Sequence, residues 1–598
     1  MRRSISCLCL CALASAALAA PDYRERLPED EIVYFVLPDR FANGDASNDR
    51  GASSGDRLTT GFDPTHKGFY HGGDLKGLTA RLDYIQGLGT TAIWLGPIYK
   101  NKPVQGPAGD ESAAYHGYWI TDFTRVDPHF GNDADMRNFV KAAHGRGMKV
   151  YLDIITNHTA DVIQYRECVA APCPYRSRAD YPYTRKGGVE GQSINLGFAG
   201  DAVRTPFNFG RLTDDSYAYT PFVPAAEADV KVPAWLNAPI YYHNRGNSDF
   251  WAESSVMGDF FGLDDLMTEN PRVVQGFIDI YGDWIERYRI DGFRIDTARH
   301  VNPEFWQAFV PAMLKRARAQ GIPNFHIFGE VAAEGTDVAQ LARHTRVDKL
   351  PSVLDFGFAG TVEQVLAGKA GTAALGRLYQ DDGLYEGGTP AALRLPTFTG
   401  NHDGGRLAWK IRTARPAASD EEVLQRVMLS NAMLFLLRGV PVVYSGDEQG
   451  FVGHGVDQAA RQDMFASQVA SYNDQSLLGS SATTATENFN TQHPLYREVA
   501  TLAALRTQYP ALRRGKQITR AQSLEAGLFA VSRIGSDGRE IVIAFNTSTQ
   551  PIAAQIEIDP GSRAFASLHG ACAAPGAPGS LKVELAPFAY LVCAAEQP

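Results

Sequence analysis

The feature that most restricts the fold is an alternation, along residues 31–450, between short β-branched or aromatic runs and longer amphipathic stretches. Such alternation is typical of βα units, in which parallel strands are joined by helices that pack on the sheet. Helical periodicity is clearest at 135–146 and 271–288. Eight units predict a (β/α)₈ TIM barrel, with an open doubly wound sheet as the alternative. The eight predicted strands are 32–36, 92–95, 150–155, 293–296, 326–329, 353–356, 396–399 and 440–444.

Two intervals break this rhythm and suggest further domains. Residues 159–258 are rich in Pro, Tyr, Asn and Gly and are far longer than an ordinary βα loop, so we predict an inserted, loop-rich subdomain after the third strand. Beyond about residue 510, short alternating runs separated by polar turns predict a C-terminal antiparallel β-sandwich. The expected domains are a signal peptide at 1–19, the barrel at 20–158 and 259–505, the insertion at 159–258 and the sandwich at 506–598.

The N-terminus has the parts of an export signal. Two arginines precede an apolar run, from Ile5 to Leu18, that ends in small residues. A membrane anchor is the alternative, but the run is shorter than the ~20 residues of a span. We therefore expect a periplasmic or extracellular protein. Its net charge of −10 offers no attraction to nucleic acid or to an anionic membrane, so we expect neither as a partner, no span in the mature chain, and a monomer.

Cysteine usage agrees with export. Three of the seven cysteines lie in the predicted signal, which leaves the close pairs Cys168/Cys173 and Cys572/Cys593. These suggest one disulfide in each of two regions, although four cysteines allow three connectivities. A zinc site is the alternative, but no Cys-x-x-Cys spacing or nearby His pair supports it.

Polar residues stand at the carboxyl ends of several predicted strands, where barrel enzymes carry their functional groups. Asp296, Glu330 and Asp403 end the fourth, fifth and seventh strands, and alternation places Arg294 on the same inward face as Asp296. Glycoside hydrolysis needs one ionised carboxylate and one acid of raised pKa, and a neighbouring arginine favours the ionised form. A salt bridge or helix cap would explain any single acid, but the coincidence of several strand ends favours a catalytic site.

These segments resemble the four conserved regions of the α-amylase superfamily, glycoside hydrolase family 13. The matching segments are DIITNH at 153–158, GFRIDTARH at 292–300, FGE at 328–330 and NHD at 401–403. Further matches are GDLKG at 73–77, AIWLGP at 92–97, HGYW at 116–119 and VPVVYSGDE at 440–448. Because the motifs follow the family's order along nearly the whole mature chain, the chain is identified as a member, similar to secreted bacterial α-amylases.

The resemblance implies a role for each matching residue. Asp296 corresponds to the nucleophile, Glu330 to the general acid/base and Asp403 to the transition-state stabiliser. It implies a covalent glycosyl-enzyme, retained α configuration and about 5–5.5 Å between the two reacting carboxyl groups. Arg299 stands where many relatives have lysine, which keeps the charge but alters the contact on the aglycone side. The residues expected to bind substrate are Tyr118, Trp119, His158, Arg294, Arg299, His300 and His402, with Tyr118 stacking on the sugar.

The resemblance also implies one or two structural Ca²⁺ ions and no organic cofactor. Ca²⁺ prefers carboxylate, amide and backbone oxygens, although Asn, Asp and Gly also form ordinary solvated turns. A second site would use Asn157, Asp265 and the His300 carbonyl, with Asp265 fitting the family's fifth region loosely. The first site, similar to the N-terminal calcium loop of cyclodextrin glucanotransferases, would use Asn43, Asp45, Asn48, Asp49, Gly72 and Asp74.

The leading hypothesis is therefore an exported α-amylase that hydrolyses α-1,4 bonds of starch or maltodextrins. The main competitor is an α-glucan transglycosylase of the cyclodextrin glucanotransferase type, which usually has two more C-terminal domains. Cyclomaltodextrinases and neopullulanases usually have an N-terminal domain and a Met-Pro-Lys-Leu-Asn fifth region, and this sequence contains neither. A non-catalytic maltodextrin-binding protein is the remaining alternative, and it would be expected to have lost at least one of the three acids.

Overall fold

The computed structural model describes residues 22–168, 172–332 and 336–596, so the predicted signal peptide at 1–19 lies outside it. Its central element, within the described ranges, is a seven-stranded parallel sheet in the order β5-β4-β3-β2-β1-β7-β6. The strands are β1 Val33–Val36, β2 Ala92–Leu95, β3 Lys149–Ile154, β4 Gly292–Ile295, β5 His326–Gly329, β6 Pro396–Thr397 and β7 Val440–Tyr444.

The predicted sixth strand closes this sheet into a barrel, although it is much shorter than expected. Val353 forms a parallel bridge with Gly329 at the end of β5, and Asp355 N donates to the Pro396 carbonyl in β6 at 2.9 Å. The chain leaves the sheet at Phe356, because the Asp355 side chain accepts from Phe358 N at 2.9 Å and thereby caps a helix. The (β/α)₈ prediction is thus confirmed, with a single bridge in place of strand 353–356.

Apolar residues on both faces of the strands produce two cores, as parallel sheets require. Val33 and Phe35 of β1 point into the barrel, where they pack with Trp94 and Tyr444. Alternate residues such as Tyr34 belong to the larger core between the sheet and its helices. The described helices of six or more residues are α1 Leu75–Ala80, α2 Leu82–Gly87, α3 Asp133–Gly145, α4 Pro271–Tyr288, α5 Pro303–Ala319, α6 Val338–Arg346, α7 Phe356–Leu366, α8 Ala373–Gln380, α9 Leu407–Ala414, α10 Asp420–Leu436 and α11 Pro494–Gln508.

The long segment between β3 and β4 is built mainly from loops. Its regular structure, where described, consists of four-residue helices, 3₁₀ turns and short strand pairs such as Gln164–Tyr165 with Pro221–Phe222. It has a small aromatic core of its own. Strand pairing of Asp264–Asp265 with His158–Thr159, and a buried 2.5 Å ion pair between Lys231 and Asp264, fasten it beside the barrel.

The C-terminal part is antiparallel and forms, among the described residues, a five-stranded sheet β8-β9-β10-β14-β12 and a two-stranded sheet β11-β13. One face of the larger sheet packs against the smaller sheet in a buried cluster, as the sandwich prediction expects, and its other face joins the large core. The strands are β8 Lys516–Ala521, β9 Leu528–Ile534, β10 Glu540–Asn546, β11 Ile552–Glu557, β12 Phe565–His569, β13 Ser580–Leu585 and β14 Tyr590–Ala595.

Both predicted disulfides are present. Cys168 is bonded to Cys173 in the inserted segment, and Cys572 is bonded to Cys593 in β14. Among the residues that the structure describes, we find no helix with the length and apolar character needed to cross a membrane.

Candidate active site

A cleft of about 1330 Å³ opens beside the carboxyl ends of the barrel strands and is walled on one side by the inserted segment. Catalytic groups of barrel enzymes collect at this face because loops from several strands meet there. Arg294 and His402 lie beneath the cleft floor and are 1% and 0% exposed. The other sequence-predicted catalytic and sugar-binding residues line the cleft together: Tyr118, Trp119, His158, Asp296, Arg299, His300, Glu330 and Asp403.

The floor of the cleft is organised around the guanidinium of Arg294 in β4. Its Nη1 lies 2.8 Å from Asp296 Oδ1 and 2.8 Å from Asp153 Oδ1. Its Nη2 lies 3.0 Å from Glu330 Oε1. Asp296 and Glu330 therefore bind different nitrogens of one planar cation, which holds the two carboxyl groups side by side with a fixed orientation.

Backbone geometry at the end of β4 fixes Glu330 further. Glu330 Oε2 accepts a hydrogen bond from Thr297 N at 3.0 Å. Thr297 has a φ of 48°, in the left-handed region that a β-branched residue rarely adopts. Strained backbone of this kind is often found at functional sites, and here it turns the amide of Thr297 toward the carboxylate.

Burial and mutual repulsion raise the pKa values of these acids. Burial, with Asp153 and Asp403 adding to it, raises the pKa of Asp296 to about 7 despite Arg294. Burial likewise raises the pKa of Glu330 to about 7, and Asp296 and Asp403 add to the effect. Burial raises the pKa of Asp153 to about 6. The sequence suggested that Arg294 keeps Asp296 ionised. In the structure Arg294 does not do so by itself, because it is shared among three acids.

Asp403 is held by other residues than Asp296 and Glu330, and its pKa shifts in the opposite direction. Its side chain is 47% exposed, and its Oδ1 accepts from Arg461 Nη2 at 2.8 Å. His402 Nε2 lies 3.2 Å from its Oδ2. Desolvation works against ionisation, but His402, Arg461 and Arg294 together hold the pKa of Asp403 below its usual value. Asp403 is therefore the acid best suited to remain charged.

Tyr118 joins the two halves of the site. Its hydroxyl lies 2.8 Å from His402 Nε2 and donates to Asp153 Oδ2 at 3.1 Å. The Tyr118 and His402 rings are nearly parallel, with centroids 5.7 Å apart. Trp119 follows Tyr118 along the cleft wall, where its backbone N donates to Asn101 Oδ1 at 2.6 Å.

Neutral histidines line the side of the cleft next to the insertion. Burial lowers the pKa of His158 to about 3 and that of His300 to about 4. His158 stacks on Phe260, with centroids 5.6 Å apart, and its buried Nε2 finds no hydrogen-bond partner within the described ranges. Arg299 donates to the Ala332 carbonyl at the cleft rim. An unpaired buried imidazole nitrogen is a ready partner for a substrate hydroxyl.

Sequence reasoning missed three contributors to the site. Asp153 belongs to a recognised motif, but a β3 aspartate could equally have been a structural ion pair. Phe260 and Arg461 lie in irregular segments, where neither periodicity nor a motif predicts which way a side chain points. Arg461 lies next to Asp403 because of the path of the loop after β7, and no pattern in the sequence predicts that path.

The first predicted calcium set is assembled in the structure around a turn. Asn43 Nδ2 donates to Asp49 Oδ1 at 2.8 Å, and a Cβ at Gly72 would lie 2.6 Å from that same oxygen. Asn48 Oδ1 is buried and has no partner among the described residues. Burial, opposed by Asn43, raises the pKa of Asp49 to about 6. These oxygens fit a hard cation.

The other two members of this set have additional structural roles. Asp74 caps α1 by accepting from Gly77 N at 2.7 Å, and it also binds the backbone of the turn. Asp45 pairs with Lys76 at 2.5 Å. Across the described parts of the chain, no group of three or more His, Cys, Asp or Glu residues is arranged to hold a metal. Any ion at this turn would therefore need amide and backbone oxygens in addition to the Asp49 carboxylate.

The second predicted set is less complete. Asn157 and Asp265 are neighbours, since Leu266 N donates to the Asn157 carbonyl at 2.9 Å. However, Asp265 Oδ2 already lies 2.6 Å from His243 Nδ1, and His243 also contacts Glu269. His300 contacts the Ser255 carbonyl at 2.7 Å through Nδ1. The second site remains a prediction.

A closed (β/α)₈ barrel whose carboxyl end brings three acids, a buried arginine and neutral histidines into one cleft has the composition of a glycoside hydrolase site. Comparison with known proteins gives the family. A family model described as α-amylase, catalytic domain, matches residues 35–515, and the chain belongs to the α-amylase family.

Individual relatives agree with this assignment. An α-amylase from Streptomyces lividans is 47% identical over 503 residues, which are 84% of this chain and 54% of that protein. A solved Anoxybacillus α-amylase superposes with a TM-score of 0.67 at 26% identity and covers 96% of this chain and 100% of its own. CldA, a cyclomaltodextrin glucanotransferase described as having a three-domain ABC distribution, superposes at 0.70 with 25% identity, covering 95% and 99%. The chain spans about half the length of the Streptomyces relative.

Proposed function

We propose that the protein is a retaining glycoside hydrolase that cleaves α-1,4-glucosidic bonds of starch or maltodextrins, as an α-amylase. The observation that carries this proposal is the attachment of Asp296 and Glu330 to two nitrogens of Arg294 at the cleft floor. Two carboxyl groups held side by side suit nucleophilic attack by one and proton donation by the other. The 47% identity to a protein named α-amylase supports the same choice.

In the proposed first step, Asp296 attacks the anomeric carbon while Glu330 gives its proton to the departing glycosidic oxygen. The carbon–oxygen bond to the leaving sugar breaks as the bond to Asp296 forms. The negative charge passes from Asp296 to Glu330, which has given up its proton, so the total charge is unchanged. Water then attacks the glycosyl-enzyme, Glu330 takes its proton, and Asp296 leaves. Two displacements at one carbon retain the α configuration. Raised pKa values on both acids suit them to share one proton near neutral pH.

The surrounding residues are assigned to holding the sugar ring. Asp403, kept ionised, would accept hydrogen bonds from ring hydroxyls, and Tyr118 would stack on the apolar face of the sugar. The Nε2 of His158, which has no hydrogen-bond partner among the described residues, would bind another hydroxyl. The remaining proposed ligands are Trp119, Arg294, Arg299, His300 and His402.

A transglycosylase is the second candidate, and a specific observation supports keeping it. CldA carries a cyclomaltodextrin glucanotransferase name with a three-domain organisation and superposes on 95% of this chain. The number of C-terminal domains therefore does not separate the two activities, contrary to our argument from sequence. The chemistry also leaves both open, because either water or a sugar hydroxyl can attack a glycosyl-enzyme.

Product analysis on soluble starch, pullulan and cyclodextrin separates these activities. We expect linear short maltodextrins from starch as the main products, because attack by water leaves each product with a free reducing end. Chromatography of the digest measures them, and a reducing-sugar assay run in parallel counts the bonds cleaved. Cyclic products from starch would favour the transglycosylase over the hydrolase, and cleavage of pullulan would indicate a neopullulanase-type enzyme.

We further propose one structural Ca²⁺ held by Asn43, Asn48, Asp49 and the Gly72 backbone, with Asp45 and Asp74 supporting the turn. Two observations support this assignment: Asn48 Oδ1 has no partner in the part of the chain that the structure describes, and Gly72 closely approaches Asp49. Such an ion would stabilise the turn and take no part in bond cleavage. Export of the protein is supported by its two disulfides, which persist mainly in oxidising compartments.

A further inference from the structure

Asp403 is held by a buried arginine, Arg461, which lies on the loop after β7 and lines the cleft beside it. Arg461 donates to Asp403 Oδ1 at 2.8 Å, and its Nε donates to the His402 carbonyl at 3.0 Å. A third contact joins Arg461 to Asp457 Oδ1 at 2.5 Å. The Arg461 side chain is only 7% exposed. Through these contacts it fixes both the Asp403 carboxylate and the backbone of His402, the residue before it.

Two further residues hold Arg461 in place. The Tyr115 hydroxyl accepts a hydrogen bond from Arg461 Nη1 at 3.2 Å, and Arg40 donates through Nε to the Arg461 carbonyl at 3.0 Å. The Arg40 guanidinium also stacks on the Tyr115 ring, 3.8 Å from its centroid. Tyr115 and Arg40 are 1% and 2% exposed, and neither is among the described residues that line the cleft. They touch Arg461 but are kept apart from substrate.

Arg40 is itself firmly anchored to the loop after β1. It pairs with Asp39 and donates through Nη2 to the carbonyls of Lys67 and Phe69 at 2.9 and 3.0 Å. Moving a buried guanidinium away from these partners would leave several donors unpaired, which is costly. Arg40 is therefore a rigid support, and Tyr115 fills the space between it and Arg461.

We propose that Arg40 and Tyr115 are positioning residues for Asp403, acting through Arg461. The inference deepens the proposed function and rests on it, because the placement of Asp403 matters only if Asp403 stabilises a transition state. A carboxylate that is displaced by a fraction of an ångström still permits substrate to bind but fits the transition state less well. Loss of either support should therefore lower kcat more than it raises KM.

The decisive variant is Tyr115→Phe, which removes the hydroxyl and keeps the ring that stacks on Arg40. We expect kcat on soluble starch to fall about tenfold, the effect of losing one hydrogen bond to a charged group, with KM within about twofold of wild type. Steady-state kinetics and a thermal unfolding scan measure this. Arg40→Lys, which lacks the stacking plane, should change kcat in the same direction.

Tyr496→Phe is the matched control, because it also removes a buried tyrosine hydroxyl, one that donates to the Tyr84 carbonyl at 2.8 Å on the outside of the barrel. It should keep wild-type kcat and KM. A Tyr115→Phe enzyme with wild-type kcat would overturn the inference. Equal losses of kcat in Tyr115→Phe and in the control Tyr496→Phe would also overturn it. Wild-type protein without activity on α-glucans would instead refute the proposed function, and the inference with it.

Discussion

At the scale of single residues, the site is defined by a shortage of positive charge. Arg294 contacts Asp153, Asp296 and Glu330, and one guanidinium cannot neutralise three buried carboxylates. Part of the charge is instead removed by protons, which is why all three acids have raised pKa values. A cluster that keeps a proton near neutral pH is suited to donate one to a leaving group.

Glu330→Gln tests the assigned acid directly. Glutamine has the shape of the protonated acid but cannot release a proton, so we expect turnover of starch to fall by at least ~10²–10³-fold. Binding of maltodextrin should persist, because the contacts of the other cleft residues are unchanged. Calorimetry on the variant and reducing-sugar release measure the two effects separately.

A suitable control for this variant is Glu304→Gln. Glu304 is 43% exposed, pairs with Arg204 at 3.1 Å and lies in the first turn of α5, and it is not among the described residues that line the cleft. It should turn over starch like wild type. Undiminished turnover by Glu330→Gln would remove Glu330 from the acid/base role, and a wild-type protein that binds maltodextrin without turnover would be the non-catalytic alternative.

At the scale of elements, most of the barrel strands could be predicted because they are short β-branched or aromatic runs that alternate with amphipathic helical stretches. The exception, 353–356, is short because Asp355 is both the last sheet residue and a helix cap, and a sequence pattern cannot rank these two roles. Asp296 and Glu330 could be placed because they directly follow β4 and β5, and Asp403 because it lies in a recognised motif shortly after β6. Arg461, Phe260 and Tyr115 could not, because their positions depend on how long loops pack, and such packing has no local signature.

The turn at 43–49 provides a prediction at this scale. Gly72 has a φ of +97°, and a Cβ there would meet the Asp49 carboxylate. We expect Gly72→Ala to lower Tm by several degrees and to remove any response of Tm to a chelator, because the added methyl group fills the proposed ion site. Thermal unfolding with and without chelator, and calcium analysis of the purified protein, measure this.

Gly109→Ala separates strain from occupancy in this experiment. Gly109 has a similar φ of +92°, but nothing described lies within 4 Å of its added Cβ. This variant should show the cost of strain alone and keep the wild-type response to chelator. Wild-type protein whose Tm and calcium content ignore the chelator would contradict the calcium proposal.

At the scale of the whole molecule, a large barrel also buries carboxyl groups that are not among the described residues lining the cleft. Glu448 is 1% exposed and accepts hydrogen bonds from the hydroxyls of Tyr34 and Tyr84 at 2.7 and 2.8 Å. Burial raises its pKa to about 7. Burial also raises the pKa of Glu498, on α11, to about 8. The folded protein therefore holds protons near neutral pH that the unfolded chain has already released.

The sign of the resulting pH dependence follows from these shifts, and Glu448→Gln tests it. Because the folded-state pKa of Glu448 lies above its ordinary value of 4.5, its contribution to the free energy of unfolding falls as pH rises from about 4.5 to about 7. The total loss is about 3 kcal/mol above pH 7. Glutamine resembles the protonated acid, so the variant should match wild type near pH 5 and have a higher Tm at pH 8. Glu557→Gln, at a 79% exposed side chain, should leave the pH dependence unchanged. Parallel Tm curves for wild type and Glu448→Gln between pH 5 and pH 8 would show that Glu448 is ionised in the folded protein throughout, contrary to this argument.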